Sequence, residues 1–294
     1  MKAWYLAAIL TAFAGAAACG GSAGANAAPQ AEPVTESGRP IVIGRSFTLP
    51  SKLLKDDRRI NVYLPEHYDE PGRTFPVLFL LDGGEREDFL HIAALAQITA
   101  AYGQGQEMIV VGIEGVDRRH DLTSPSSVAE DLKRAPTSGG AATYRRFLAE
   151  ELKPWVAARY RTSGQTAIIG ESLAGLFVLE TFLKQPGSYE DFIAVSPSLW
   201  WNGGKLAREA GADLRKAGFS GRRLWIGFET PPPPADEAAR ERALQAALEA
   251  ALRAVQPPGL AWTAVHLEEG HSNVYHPAAL QALRSLYAVK PGGK

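Results

Sequence analysis

Two hydrophobic rhythms divide the chain. In the first, Ile60, Val62 and Leu64 alternate with Arg59, Asn61 and Tyr63. Alternation of this kind predicts a strand with one buried face. A second strand is predicted over Ile41 to Leu49, joined to the first through the charged turn Lys55, Asp56, Asp57 and Arg58. Together they read as an antiparallel pair. The rhythm then changes to short unbroken apolar runs: Val77 to Leu81, Met108 to Ile113, Thr166 to Ile169, Phe192 to Val195 and Leu224 to Phe228. Such runs predict strands buried on both faces, as in a parallel sheet covered by helices. Helical spacing separates them, over Phe89 to Ala101, Thr143 to Arg159, Leu173 to Lys184 and Ala235 to Val255. A last strand is predicted at Trp262 to Leu267 and a last helix at Pro277 to Tyr287. Strand–helix alternation opened by an antiparallel pair predicts an α/β domain with a mostly parallel, doubly wound sheet, spanning residues 41–294. Arg118 to Ala142 reads as a long loop with at most short helices. Pro231 to Pro234 demands an extended loop.

Composition narrows the function classes. Of 294 residues, 46% are hydrophobic and 21% charged, and the formal net charge is -1. A core of ordinary size can be buried, and nothing in the charge balance points to a nucleic-acid partner. Cys19 is the single cysteine, so an internal disulfide and a Cys-ligated metal site are both excluded, and no metal is expected. Lys2 followed by the uncharged stretch Trp4 to Ala18 suits a signal peptide over residues 1–18 better than a membrane span. Ala16, Ala17 and Ala18 before Cys19 resemble a bacterial lipobox, in which the thiol is lipidated and anchors the chain to a membrane. The alternative is ordinary cleavage after Ala25-Asn26-Ala27. Both imply export across the inner membrane. Residues 19–40, rich in Gly, Ala, Ser and Pro, read as a flexible tether.

The chemistry centres on Gly170-Glu171-Ser172-Leu173-Ala174-Gly175, placed between an apolar run and a helical one. A serine hydroxyl is a weak nucleophile. It needs exposure, a base within reach and donors for the developing oxyanion. A sharp strand-to-helix turn supplies the exposure and aims the Leu173 N–H at the reacting oxygen. Gly170 and Ala174 keep the turn tight, although the G-x-S-x-G pattern has glycine where Ala174 stands. The competing reading of Ser172 is a plain helix cap. In hydrolases built this way the acid and then the histidine follow the nucleophile. His67, His91 and His120 precede Ser172, and His266 falls within a strand pattern. His271, just past that strand, is the expected base, with His276 as the fallback. Glu229, at the end of Leu224 to Phe228, leads for the acid. Asp236 and Glu237 look more like first-turn helix acids, and a Ser–His dyad without an acid stays open. The loop Leu81-Asp82-Gly83-Gly84-Glu85 offers a second oxyanion donor, with Gly84 N–H favoured over a plain glycine turn.

With these residues in place, the chain resembles the esterase family of α/β-hydrolases that includes esterase D-like enzymes, periplasmic enterobactin esterases and bacterial mycolyltransferases. The resemblance runs from about Arg59 to the C-terminus. It rests on Arg59-Ile60-Asn61-Val62-Tyr63-Leu64-Pro65, Leu80-Leu81-Asp82-Gly83, Gly170 to Phe177, Ser196-Pro197-Ser198-Leu199-Trp200-Trp201 and Gly270-His271. The siderophore-esterase branch is the most similar. The resemblance implies an α/β-hydrolase fold, acyl-enzyme chemistry on a small-molecule ester and no cofactor. It carries the nucleophile onto Ser172, the base onto His271, the oxyanion role onto the Asp82-Gly83-Gly84 loop and the acid onto Glu229, with a Ser–His dyad as the alternative. Trp200 and Trp201 read either as a stacking wall for substrate or as core packing. Arg119, beside Arg118, reads either as a partner for an anionic substrate or as a solvated surface charge. Ester hydrolysis, acyl transfer through the same nucleophile and non-catalytic binding by a tethered domain are the three readings carried forward. The oligomeric state is not legible.

Overall fold

The computed structural model describes residues 38–216, 218–230 and 235–289. The apolar stretch Trp4 to Ala18, Cys19 and the Ala25-Asn26-Ala27 cleavage site lie outside the described residues.

Eight strands form one sheet: β1 (Arg45–Pro50), β2 (Asp57–Tyr63), β3 (Phe75–Leu81), β4 (Ile109–Ile113), β5 (Thr162–Glu171), β6 (Asp191–Val195), β7 (Arg223–Phe228) and β8 (Ala261–His266). Their spatial order is β1-β2-β4-β3-β5-β6-β7-β8. β2 runs antiparallel to both β1 and β4, and every other pairing is parallel. All residues of β3, β4 and β6 are buried, because helices cover both faces of the sheet. One face carries α1 (Phe89–Ala101) and α9 (Tyr275–Leu286), which pack Phe89, Ile92, Ala278 and Ala282 onto Leu78, Leu80, Ile169 and Trp225. The other face carries α4 (Ala141–Phe147), α5 (Lys153–Ala157), α6 (Leu173–Lys184), α7 (Trp201–Leu214) and α8 (Ala235–Val255).

Several expectations need correction. The first strand starts at Arg45, the first residue with a partner (Val62), while Ile41 and Val42 are exposed. β2 has no solvent face at its C-terminal half: Ile60, Asn61, Val62 and Tyr63 are all buried. Polar Asn61 tolerates this because its Nδ2 donates to Gly83 O at 2.9 Å, which also ties down the loop after β3. Arg58, read as a turn charge, is buried between Asp56 and Asp121. The helix expected over 143–159 is split by a π turn at Leu148–Leu152. Pro154 has no N–H to give the carbonyl four residues back, so the ladder re-registers there. α7 was not marked by the sequence pattern. Asn202, Gly203 and Gly204 hold positive φ in its first turn, and its buried face consists largely of small residues such as Ala207 and Ala210.

Between β4 and α4 lie only the short helices α2 (Arg118–Asp121) and α3 (Ala129–Arg134), as expected of a long loop. It hangs over the carboxyl edge of the sheet, where ligands of doubly wound domains bind. There the strand ends are in register. Glu171 lies beside Val195, Val195 beside Gly227 and Phe228 beside His266. The residues that follow each strand, Ser172, Ser196 and Glu229, are therefore neighbours across the sheet.

Candidate active site

Ser172 occupies the turn between β5 and α6 with φ 60° and ψ −118°, a conformation rarely adopted by a residue with a side chain. Strain of this kind costs on the order of 1–3 kcal/mol and persists only where the surroundings enforce it. They do so here. Ser172 N–H donates to Val195 O at 3.0 Å, and Ser172 O accepts from the N–H groups of Leu176 and Ser198 at 2.9 and 3.0 Å. The hydroxyl makes no capping bond to α6, which disposes of the plain helix-cap reading. Tightness explains the neighbours. A Cβ on Gly175 would meet Val195 O at 2.6 Å, and one on Gly170 would meet Ala174 Cβ at 2.6 Å. Close approach to β6 thus falls on Gly175, which leaves room for Ala174 one position earlier.

His271 Nε2 lies 3.0 Å from Ser172 Oγ, and His271 Nδ1 lies 2.5 Å from Glu229 Oε2. Glu229 follows β7, and its side chain is 11% exposed. The loop carrying His271 is fixed by Thr230 N–H donating to Glu269 O at 3.0 Å and by Asn273 and Val274 N–H donating to Gly270 O. His276 belongs elsewhere, with Nε2 2.9 Å from Asp88. His266 is the strand-face residue expected, 2.6 Å from Glu249.

Three further groups at this site were not singled out from sequence. Ser196 Oγ donates to Glu229 Oε2 at 2.7 Å and lies 3.0 Å from His271 Nδ1. Its position at the carboxyl end of β6 was the available signal. Glu171, the variable residue of the turn, places Oε1 3.3 Å from His271 Nε2. Burial pushes its carboxyl up to about 7, against the pull of His271 and Arg118. Glu241 reaches in from α8, where burial and the nearby Glu229 also push it up to about 7. His271 itself is held above the usual imidazole range, chiefly by its hydrogen bond to Glu229 and further by the Glu171 charge, with burial opposing.

The pair of oxyanion donors is only half supported. Leu173 is the first residue of α6, so its N–H has no acceptor within the helix and points out of its start. Gly84 is corrected. Its N–H donates to Glu87 Oε2 at 2.7 Å, and Gly84 lines a separate cleft with Arg59, Glu85 and Glu114. The Glu87 carboxylate, three residues on, occupies the donor that sequence assigned to substrate.

Ser172, Glu229 and His271 open into a cavity of about 870 Å³ roofed by α3 and α8. Arg119, Trp200 and Trp201 line it. The tryptophans divide the two readings between them. Trp201 is buried, with Nε1 donating to Ser124 O at 2.9 Å, so it is core packing. Trp200 is half-buried, with the Arg134 guanidinium 5.8 Å from its ring centre. Arg119 is exposed, whereas Arg118 is bound by Asp82 through contacts of 2.8 to 3.2 Å.

The family model described as "Putative esterase" matches residues 51–255. The chain belongs to this family. Ser172 and Glu229 fall inside the matched stretch of the esterase family, and His271 lies beyond it. Among its relatives is the ferri-bacillibactin esterase BesA of Bacillus subtilis, 26% identical over 183 residues, which are 53% of this chain and 62% of that protein. The siderophore enterobactin esterase of Emericella nidulans is 28% identical over 165 residues, 49% of this chain and 53% of that protein. The chain thus spans roughly half to three-fifths of the length of these two relatives. An IroE-like serine hydrolase from Shewanella oneidensis superposes with a TM-score of 0.76 at 26% identity, covering 83% of this chain and 80% of that one.

Proposed function

We propose that the protein is a serine esterase that cleaves carboxylic esters through an acyl-enzyme on Ser172, with His271 as base and Glu229 as the acid that orients it. The observation that carries this reading is the position of one imidazole, 3.0 Å from the Ser172 hydroxyl on one side and 2.5 Å from the Glu229 carboxylate on the other. Glu229 accepts the Nδ1–H, which leaves the Nε2 lone pair facing Oγ. As Oγ attacks the ester carbon, Nε2 takes its proton, and the carbonyl oxygen gains charge beside the Leu173 N–H. Collapse breaks the bond to the alcohol oxygen, and His271 passes its proton to that leaving group. Water then repeats the sequence on the acyl-serine: His271 takes its proton, the acid departs and Ser172 regains its hydrogen. Esters are favoured over amides, because an alkoxide leaves more readily than an amine.

The substrate class we propose is a siderophore ester with aromatic, anionic parts. Trp200 supplies a face for stacking, Arg119 and Arg134 supply positive charge at the same cavity, and relatives carry siderophore esterase names. The test compares turnover of a triscatecholate macrolactone, with and without iron, against a short p-nitrophenyl ester. Cleavage of the short ester alone would keep the esterase and remove the siderophore substrate. Faster release of an acceptor-alcohol ester than of free acid would favour acyl transfer. Export and lipidation at Cys19 belong to the same proposal and rest on residues 1–19 of the sequence. A Cys19→Ser chain that stays membrane-anchored in a bacterial host would contradict the lipid anchor.

A further inference from the structure

Away from the Ser172 cavity, Asp88, His91 and His276 bring one carboxylate and two imidazoles together. Asp88 and His91 stand at the start of α1, and His276 is the second residue of α9. Asp88 Oδ1 lies 2.9 Å from His276 Nε2 and 3.4 Å from His91 Nδ1. The three ligand atoms all fall within 4.8 Å of one another. The two imidazole rings meet edge to face, with centres 4.8 Å apart and planes at 61°, and Tyr275 stacks on His276 at 5.7 Å, limiting its orientation. Asp88 Oδ1 and His91 Nδ1, at 3.4 Å, already have the spacing of a metal geometry, and the 2.9 Å edge from Asp88 to His276 would open by a few tenths of an ångström on coordination. Four-coordinate zinc with N and O ligands at about 2.0–2.2 Å places neighbouring ligand atoms about 3.3–3.5 Å apart. The side chains are partly exposed, at 28% for Asp88, 60% for His91 and 46% for His276, so small rotations complete the set and solvent reaches a fourth position.

We infer that Asp88, His91 and His276 form a binding site for a divalent transition-metal ion, with Zn²⁺ as the occupant its ligand chemistry suits best. Two imidazoles disfavour Mg²⁺ and Ca²⁺, which take oxygen ligands, and favour the borderline ions. Binding displaces protons from ligating nitrogens and replaces an imidazole–carboxylate hydrogen bond with coordination bonds. The ion joins the first turn of α1 to the first turn of α9. α9 begins four residues after His271, so the site also fastens the end of the loop that carries that residue. This inference does not depend on the esterase reading, and its test does not use activity.

The experiment is calorimetric titration of Zn²⁺ into chelator-treated, tag-free full chain, paired with thermal unfolding at each metal level. One ion per chain is expected, with a midpoint that rises as zinc is added. His91→Ala, His276→Ala and Asp88→Asn should each weaken binding by roughly tenfold or more. The His91→Ala/His276→Ala pair should abolish both the binding and the rise in midpoint, while its metal-free midpoint stays near that of the wild type. Absence of saturable binding in the wild type, or binding untouched by His91→Ala, would overturn the assignment.

Discussion

Replacing Glu229 by alanine should cost activity in an amount set by two contacts of its carboxylate. Glu229 Oε2 lies 2.5 Å from His271 Nδ1 and also accepts from Ser196 Oγ at 2.7 Å. A hydrogen bond to a charged group contributes about 1.5–3 kcal/mol, and the imidazolium of the transition state is the species it stabilises. At about 1.4 kcal/mol per tenfold in rate, kcat/KM should fall roughly 10- to 150-fold. The fall stops there because Ser196 Oγ, 3.0 Å from Nδ1, stays behind as a neutral acceptor for the same N–H. Removing it as well, in Glu229→Ala/Ser196→Ala, should cost a further factor of about 2–12, the value of an ordinary hydrogen bond. The pH profile gives an independent check. Glu229 is the largest cause holding the His271 imidazole above its usual range, and the neutral imidazole is the active form. Activity is therefore lost as pH falls through the raised pKa. Without Glu229 that pKa drops, the acid limb moves to lower pH, and the deficit relative to wild type narrows in acid. The assay is kcat/KM for a p-nitrophenyl ester across pH, which reports the free enzyme. A Glu229→Ala protein within twofold of wild type, with an unmoved acid limb, would refute the reasoning and leave a Ser–His dyad.

Two other perturbations bear on how the site is built. Glu171 keeps its proton up to about 7 in the folded protein but loses it near about 4.3 when unfolded, so stability falls as pH rises between those values and stays lowered above them. Glu171→Gln should match wild type near about pH 4 and be more stable, on the order of 3 kcal/mol, near about pH 8, while its acid limb shifts down because a charge 3.3 Å from His271 Nε2 is gone; equal denaturant midpoints at the higher pH would contradict this. Gly175→Ala should destabilise by about 1–3 kcal/mol, since its Cβ has backbone 2.6 Å away and no flexible neighbour to yield, whereas Ala174→Gly should cost about 1 kcal/mol and leave the turn intact. A Gly175→Ala melting midpoint equal to that of the wild type would show that Gly175 is not the point of close approach.

The strand core and the helices Phe89–Ala101, Leu173–Lys184 and Ala235–Val255 were legible because each buries a clear apolar face or run against the sheet. Ser172, His271 and Glu229 were legible for a different reason: each follows a strand whose carboxyl end can be located from the apolar runs. Position after a strand does not reveal which donors are already occupied. Gly84 looked free until the Glu87 side chain was seen bonded to it. Nor does it reveal what reaches in from a different layer, as Glu241 does from α8. Trp200 and Trp201 look alike in sequence and both reach the cavity wall, yet Trp200 is half-buried there while Trp201 is buried and held by Ser124. His91 and His276 stand 185 positions apart, and only the packing of α1 on α9 makes them neighbours. α7 stayed hidden because its Asn-Gly-Gly start, held at positive φ, reads as a turn rather than as the first turn of a helix.

The central claim is that Ser172 becomes acylated. Incubation with a fluorophosphonate probe, followed by peptide mass spectrometry and turnover of a short p-nitrophenyl ester, tests it most directly. The account predicts one adduct per chain on Ser172, loss of turnover in step with labelling, and neither labelling nor turnover in a folded Ser172→Ala protein. Wild-type turnover by that folded variant would contradict it, as would a wild-type protein that neither labels nor hydrolyses the ester.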